Sequence, residues 1–96
     1  MTAVVDTGFN GFLTLAPLTV SRLGLPVRAP TLATLADGTQ VQLDVFEATV
    51  LWDGRRRILP ILEAVGGSLV GMSMLRGYRL VVDVVDGGAV TIALLP

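Results

Sequence analysis

The chain contains no cysteine and no histidine. The first absence removes disulfide staples and thiol nucleophiles. The second removes the Ser–His and Cys–His nucleophile pairs together with the usual zinc ligands. Lysine is missing as well, so all seven basic residues are arginines; with abundant Ala, that reads as a coding bias rather than a function. Long apolar runs are lacking. Asp6, Arg22, Glu63, Asp83 and Asp86 interrupt the most apolar stretches, and none reaches the roughly 18 residues a membrane helix needs. The N-terminus has no basic start of the secretory type, so the expected location is the cytoplasm. The net charge of −1 argues against nucleic acid or a membrane surface as partner. No cofactor and no metal site are expected.

What is present is apolar and short. Ninety-six residues make one domain, 1–96, of a size that buries a core with little margin. Apolar residues make up 52% of the chain, which predicts either a very apolar β core or a surface covered by another copy. Arg55-Arg56-Arg57 is the one basic cluster and follows a turn, so it reads as a solvated hairpin end.

Along the chain, Ala3–Val5 reads as a buried strand and Phe12–Leu15 as another. Pro17 opens a short helix continued by Leu18, Ser21, Arg22 and Leu25, with Gly24 as its stop. Pro26 and Pro30 bracket an extended connection. Thr31–Ala36 and Thr39–Trp52 read as strands around Asp37-Gly38, a strong hairpin signal. In the second of these, Val41, Leu43 and Val45 share a face, and then Phe46, Ala48, Val50 and Trp52 share one. That slip of parity predicts a bulge or bend. Asp53-Gly54 makes another turn, and Arg55–Leu62 returns as a strand that Pro60 places at a sheet edge or beside a bulge. After Gly66-Gly67, Leu69-Val70-Gly71 re-enters the core, and Met72–Arg76 is a short helix stopped by Gly77. Tyr78–Val85 and Ala89–Leu94 close the chain as a hairpin around Asp86-Gly87-Gly88, read as a primed turn.

The stretch around which the rest is organised is Val4-Val5-Asp6-Thr7-Gly8-Phe9-Asn10-Gly11. Two β-branched residues make a strand, and Gly8 and Gly11 permit a backbone that a side chain would block. Asp6 therefore belongs where a strand breaks into a tight loop, aimed into a cleft. A plain turn capped by Asp6 is the competing reading of the same residues. Asp-Thr-Gly after an apolar strand resembles the active-site motif of the retropepsin-like aspartic proteases, clan AA, in a bacterial-type member with a shortened N-terminus. The order of the later segments is also similar to that family: an apolar strand at Phe12-Leu13-Thr14-Leu15, a hairpin with Ala36-Asp37-Gly38-Thr39 at its tip, then Leu69-Val70-Gly71 leading into a short helix.

The resemblance implies a mainly β fold, a closed or bent barrel with a flap hairpin and one or two short helices. It implies an aspartic endopeptidase in which Asp6 is catalytic, Thr7 braces the loop across a twofold axis and Gly8 exposes backbone to substrate. Peptide hydrolysis of this kind needs two carboxylates sharing a proton, because like charges a few ångströms apart do not both ionise. One candidate per chain makes symmetry the source of the other. The expected partners are thus a second copy of the chain and a peptide or protein substrate. The residues Ala36, Asp37, Gly38 and Thr39 would close over the peptide, and Phe9, Phe12, Val41, Leu69 and Val70 would line its subsites. Val84-Val85-Asp86-Gly87-Gly88 echoes the motif but lacks its hydroxyl neighbour.

Two features depart from the family pattern. Phe9 stands where a small residue is usual; a hydroxyl there would donate to the carboxylate, so a less acidic optimum is expected. Two strands precede the motif in the family, against five residues here. Either the native start lies upstream or the C-terminal hairpin takes their place. A catalytically silent dimerisation or peptide-binding module is the alternative function, and a small structural β domain a third.

Overall fold

Short β-branched and leucine-rich runs punctuated by Gly, Pro and Asp give strands joined by tight turns. The computed structural model, which describes residues 2–96, is accordingly mainly β. In chain order its elements are β1 (Val4–Val5), β2 (Leu13–Leu15), α1 (Pro17–Leu23), β3 (Val27–Thr34), β4 (Gln40–Trp52), β5 (Arg55–Glu63), β6 (Leu69–Val70), α2 (Met72–Leu75), β7 (Tyr78–Val82) and β8 (Val90–Leu94). Six strands form a mixed sheet in the order β1-β6-β2-β5-β4-β3, and β7 and β8 pair only with each other. The expected closed barrel is not formed. β1 and β3 are the open edges of the larger sheet, and the terminal hairpin joins neither of them. It does not stand in for strands beside β1.

The core gathers under the centre of the larger sheet. Leu13 and Leu15 of β2, Leu59 and Ile61 of β5, Val70 of β6 and Met74 and Leu75 of α2 are buried together with Val20 of α1. All of β2 is buried, Thr14 included. The Thr14 hydroxyl donates to the Gly67 carbonyl at 3.2 Å and accepts the Leu69 N–H at 2.8 Å. Both partners belong to the approach to β6, so a buried hydroxyl stitches that approach to the central strand.

Several expectations of strand placement are met and several are corrected. α1 begins at Pro17 and ends at Gly24 in the left-handed conformation, but Leu18 points to solvent and Val20 is what the helix buries. Val4, expected in a buried strand, is exposed, because β1 is an edge. The connection after Pro26 is strand rather than linker, since β3 already starts at Val27. The parity slip in β4 is real: half-burial alternates through Val41, Leu43 and Val45, then shifts to Phe46, Ala48, Val50 and Trp52. The irregularity it predicts lies on the partner. Val27 pairs with Phe46 and Ala29 with Val45, so the extra residue is Arg28 of β3. β4 meanwhile pairs with β5 without interruption.

Pro60 sits in an interior strand rather than at an edge, for a specific reason. The Glu47 N–H donates to the Pro26 carbonyl at 2.9 Å, on the β3 side. Glu47 and Pro60, directly opposite each other, therefore do not exchange bonds, and the proline nitrogen faces away from β4. On that side β2 pairs only from Ile61 onward, so no ladder bond is lost. The arginine cluster is also not wholly solvated. Arg57 is half-buried, with its guanidinium 5.8 Å from the Phe12 ring centroid.

Candidate active site

β6 lies between β1 and β2, parallel to the first and antiparallel to the second. The residues joining β1 to β2 must therefore cross over the end of β6. Asp6 is the first residue of that crossing, and its N–H donates to the Val70 carbonyl at 2.9 Å. Its carboxylate Oδ1 accepts the Gly8 N–H at 2.9 Å, and its carbonyl accepts the Phe9 N–H at 3.1 Å. The local geometry of a capped turn is thus realised, and Asp6 is half-buried within it.

The backbone beneath the crossing explains Leu69-Val70-Gly71. A Cβ on Gly71 would fall inside contact distance of the Gly11 carbonyl oxygen and of Phe9. Only a residue without a side chain lets the two backbones pass. The crossing is also fastened to α2. The Phe9 carbonyl accepts the Met72 N–H at 2.8 Å and the Gly11 carbonyl the Ser73 N–H at 3.1 Å, while the Ser73 hydroxyl donates to the Asn10 carbonyl. α2 has no side-chain cap; loop carbonyls take the free N–H groups of its first turn instead. On the other side the Gly71 N–H donates to the Phe12 carbonyl at 2.9 Å. The Asp6 loop is held rigidly from both ends.

The structure brings Asp6, Thr7, Gly8, Phe9, Leu69 and Val70 together around this crossing. Thr7 is exposed, and its hydroxyl has no hydrogen bond among the described residues. A Cβ on Gly8 would stand 3.2 Å from Asp6 Oδ1, so this position keeps the carboxylate free of a neighbour. Two of the expected subsite residues belong to the interior rather than a surface groove. Val70 is a core residue, and Phe12 packs against the core under Arg57. Phe9 lies against Gly11 and the Gly71 position, filling space inside the loop. Leu69 and Val41 are half-buried, Val41 on the projecting hairpin.

That hairpin has its tip where expected. The Gly38 N–H donates to the Leu35 carbonyl, the Leu35 N–H to the Thr39 carbonyl, and the Thr39 N–H to Asp37 Oδ1 at 2.8 Å. Ala36, Asp37 and Gly38 thus form a three-residue loop, one longer than Asp-Gly alone indicates. The Thr39 amide holds the Asp37 carboxyl below the ordinary carboxylate range. The tip is exposed throughout, and no hydrogen bond links it to the Asp6 loop.

Ser73 and Thr14 were not legible as site supports: each is a hydroxyl residue within an apolar run, and only the crossing gives it a partner. Asp86 is confirmed as a turn residue, although the loop from β7 to β8 is longer than a primed turn. The Asp83 N–H donates to the Ala89 carbonyl and the Gly88 N–H to the Val85 carbonyl, both at 2.9 Å. Among the described residues no helix is long and apolar enough to cross a membrane. Comparison with protein-family models, curated proteins and solved structures finds no match for this chain.

Proposed function

We propose that the chain is one half of a retropepsin-like aspartic endopeptidase, in which Asp6 and its copy in a second chain activate a water between them. The single observation that carries this reading is the crossing itself. A carboxylate stands at the end of a strand, on a loop passed over Gly71 and bolted to α2, with a free hydroxyl beside it at Thr7. Such a loop holds its carboxylate with little freedom to reorganise, which is what acid–base chemistry requires.

In this reading Asp6 of one chain takes a proton from the water while Asp6 of the other gives one to the scissile carbonyl oxygen. The nucleophile is water, and no covalent intermediate forms. The Thr7 hydroxyl bonds across the axis, and Gly8 leaves room for an extended peptide. The hairpin of β3 and β4, exposed over most of its length, closes over that peptide and excludes water. The apolar residues on the surface of the single chain supply the pairing surface that two copies need.

The alternative is a silent module that keeps the pairing and captures peptides without turnover. Phe9 favours it, because its ring fills the loop beside Asp6 where a small residue is usual. Peptide cleavage by wild type and Asp6→Asn, with mass from light scattering, separates the two. Cleavage by a dimer, inhibition by pepstatin and its loss in a still-dimeric Asp6→Asn support the protease. A dimer that cleaves nothing supports the silent module, and a monomer removes both.

A further inference from the structure

A second group of polar and aromatic residues stands away from the Asp6 loop. Trp52 ends β4, and Asp53-Gly54 turns the chain into β5 with both residues at positive φ, 52° and 74°. This is the backbone of a two-residue primed turn, and it carries the Asp53 side chain toward the terminal hairpin. There the Tyr78 hydroxyl, at the start of β7, donates to Asp53 Oδ2 at 3.2 Å. The Trp52 and Tyr78 rings meet nearly at right angles, 77° between planes and 5.8 Å between centroids. Ile92 of β8 completes a cleft of about 240 Å³.

The chemistry of these walls is specific. In this edge-to-face pair a ring face not covered by the other ring's edge attracts a cation, and Ile92 offers an apolar surface for an alkyl chain. The Asp53 carboxylate is held at the rim by one hydrogen bond and keeps acceptor capacity free. Among the described residues no guanidinium lies within 4 Å of it, and the chain has no lysine. The volume is below the roughly 300–1,000 Å³ that encloses a drug-sized molecule, so the fit is to a side-chain-sized group. We propose that this cleft binds a protonated alkylamine, with its chain along Ile92, its charge against an aromatic face and its N–H groups on Asp53. The group is a free amine or a lysine side chain of a peptide.

Trp52 is the only tryptophan, so its fluorescence and its indole N–H resonance report occupancy without a label. The full chain is titrated with n-butylammonium chloride at constant ionic strength, with n-butanol and sodium chloride as controls. A saturable response with a dissociation constant of about 1–10 mM is expected for so open a site, and neither control should reproduce it. Asp53→Asn keeps an oxygen for the Tyr78 hydroxyl and loses only the charge. It should leave the melting temperature unchanged and weaken binding by about tenfold or more. A response equal with n-butanol, an unaltered response in Asp53→Asn, or no saturation by about 100 mM overturns the proposal. An acetylated lysine amide that binds as tightly as butylammonium assigns the cleft to peptide side chains; butylammonium binding alone assigns it to free amines. Asp6→Asn should bind the amine like wild type, so the outcome is independent of the Asp6 chemistry.

Discussion

Gly71 is the residue on which the candidate site depends most directly. A methyl group there meets backbone, the Gly11 carbonyl, which cannot rotate out of the way, whereas a methyl at Gly11 meets the end of the Phe9 ring, which can. Gly71→Ala should therefore destabilise by about 3 kcal/mol and Gly11→Ala by clearly less. Urea denaturation reads both, and equal midpoints would remove the crossing as a constraint. Thr14 supports the same region from below. Thr14→Val leaves the Leu69 N–H without its acceptor inside the sheet, at a cost of about 1–3 kcal/mol. In the proposed protease Phe9 also bears on the chemistry, besides filling the loop. A hydroxyl in reach of a carboxylate favours its charged form, so Phe9→Thr should move the acid limb of kcat/KM to lower pH. Coincident limbs in the two proteins would show that position 9 does not reach the carboxylate.

Among the elements, the β3–β4 hairpin is tied to the rest of the sheet at one end only. β4 pairs with both β3 and β5 at Val45 and Phe46; from Gln40 to Asp44 it has only β3 as neighbour. The added residue Arg28 marks the change, and its guanidinium pairs with Glu47 at 2.8 Å. Both side chains are about two-fifths exposed, at 42% and 40%, so that pair directs the strand more than it stabilises it. The tip carries its own pH sensitivity. Asp37 in the folded chain has its carboxyl lowered by the Thr39 N–H. A lowered folded value means the bond contributes fully above the unfolded carboxylate range and is lost as pH falls through the folded one. Protection of the Thr39 amide from hydrogen exchange should thus fall on acidification beyond that range. Asp37→Asn, which accepts the same bond without a charge, should show no such fall.

For the whole molecule the decisive observation is how much apolar surface a single chain leaves uncovered. Leu32 and Leu35 near the flap-like tip, Leu51 and Ile58 on the β4–β5 arm, and Val82, Val90 and Leu94 on the terminal hairpin are all large and exposed. On that hairpin Leu80 and Ile92 reach the core, but Val82 and Val90, paired beyond them on the same face, do not. A second copy of the chain, as proposed, would cover part of this surface. The melting temperature should therefore rise with protein concentration, as mass action demands when folding and pairing are linked. A melting temperature constant over a hundredfold dilution, with monomer mass by light scattering, would leave Asp6 without a mate.

Local chemistry was enough for much of this. Pro17 and Gly24 bound a helix, Asp37-Gly38 and Asp53-Gly54 turn hairpins, the Val45–Phe46 parity slip announces an irregularity, and Asp6-Thr7-Gly8 makes a tight loop, because each depends on backbone preference within a few residues. Which strand lies between which was not written locally. That β6 inserts between β1 and β2, that the added residue sits on β3 opposite the slip, that Pro60 is harmless inside the sheet and that the barrel stays open depend on long-range pairing. Two-residue strands carry too little pattern to announce their neighbours. The cleft of Trp52, Asp53, Tyr78 and Ile92 belongs to the same class: its members come from distant parts of the chain, and only the packing of the terminal hairpin against the sheet makes them one site.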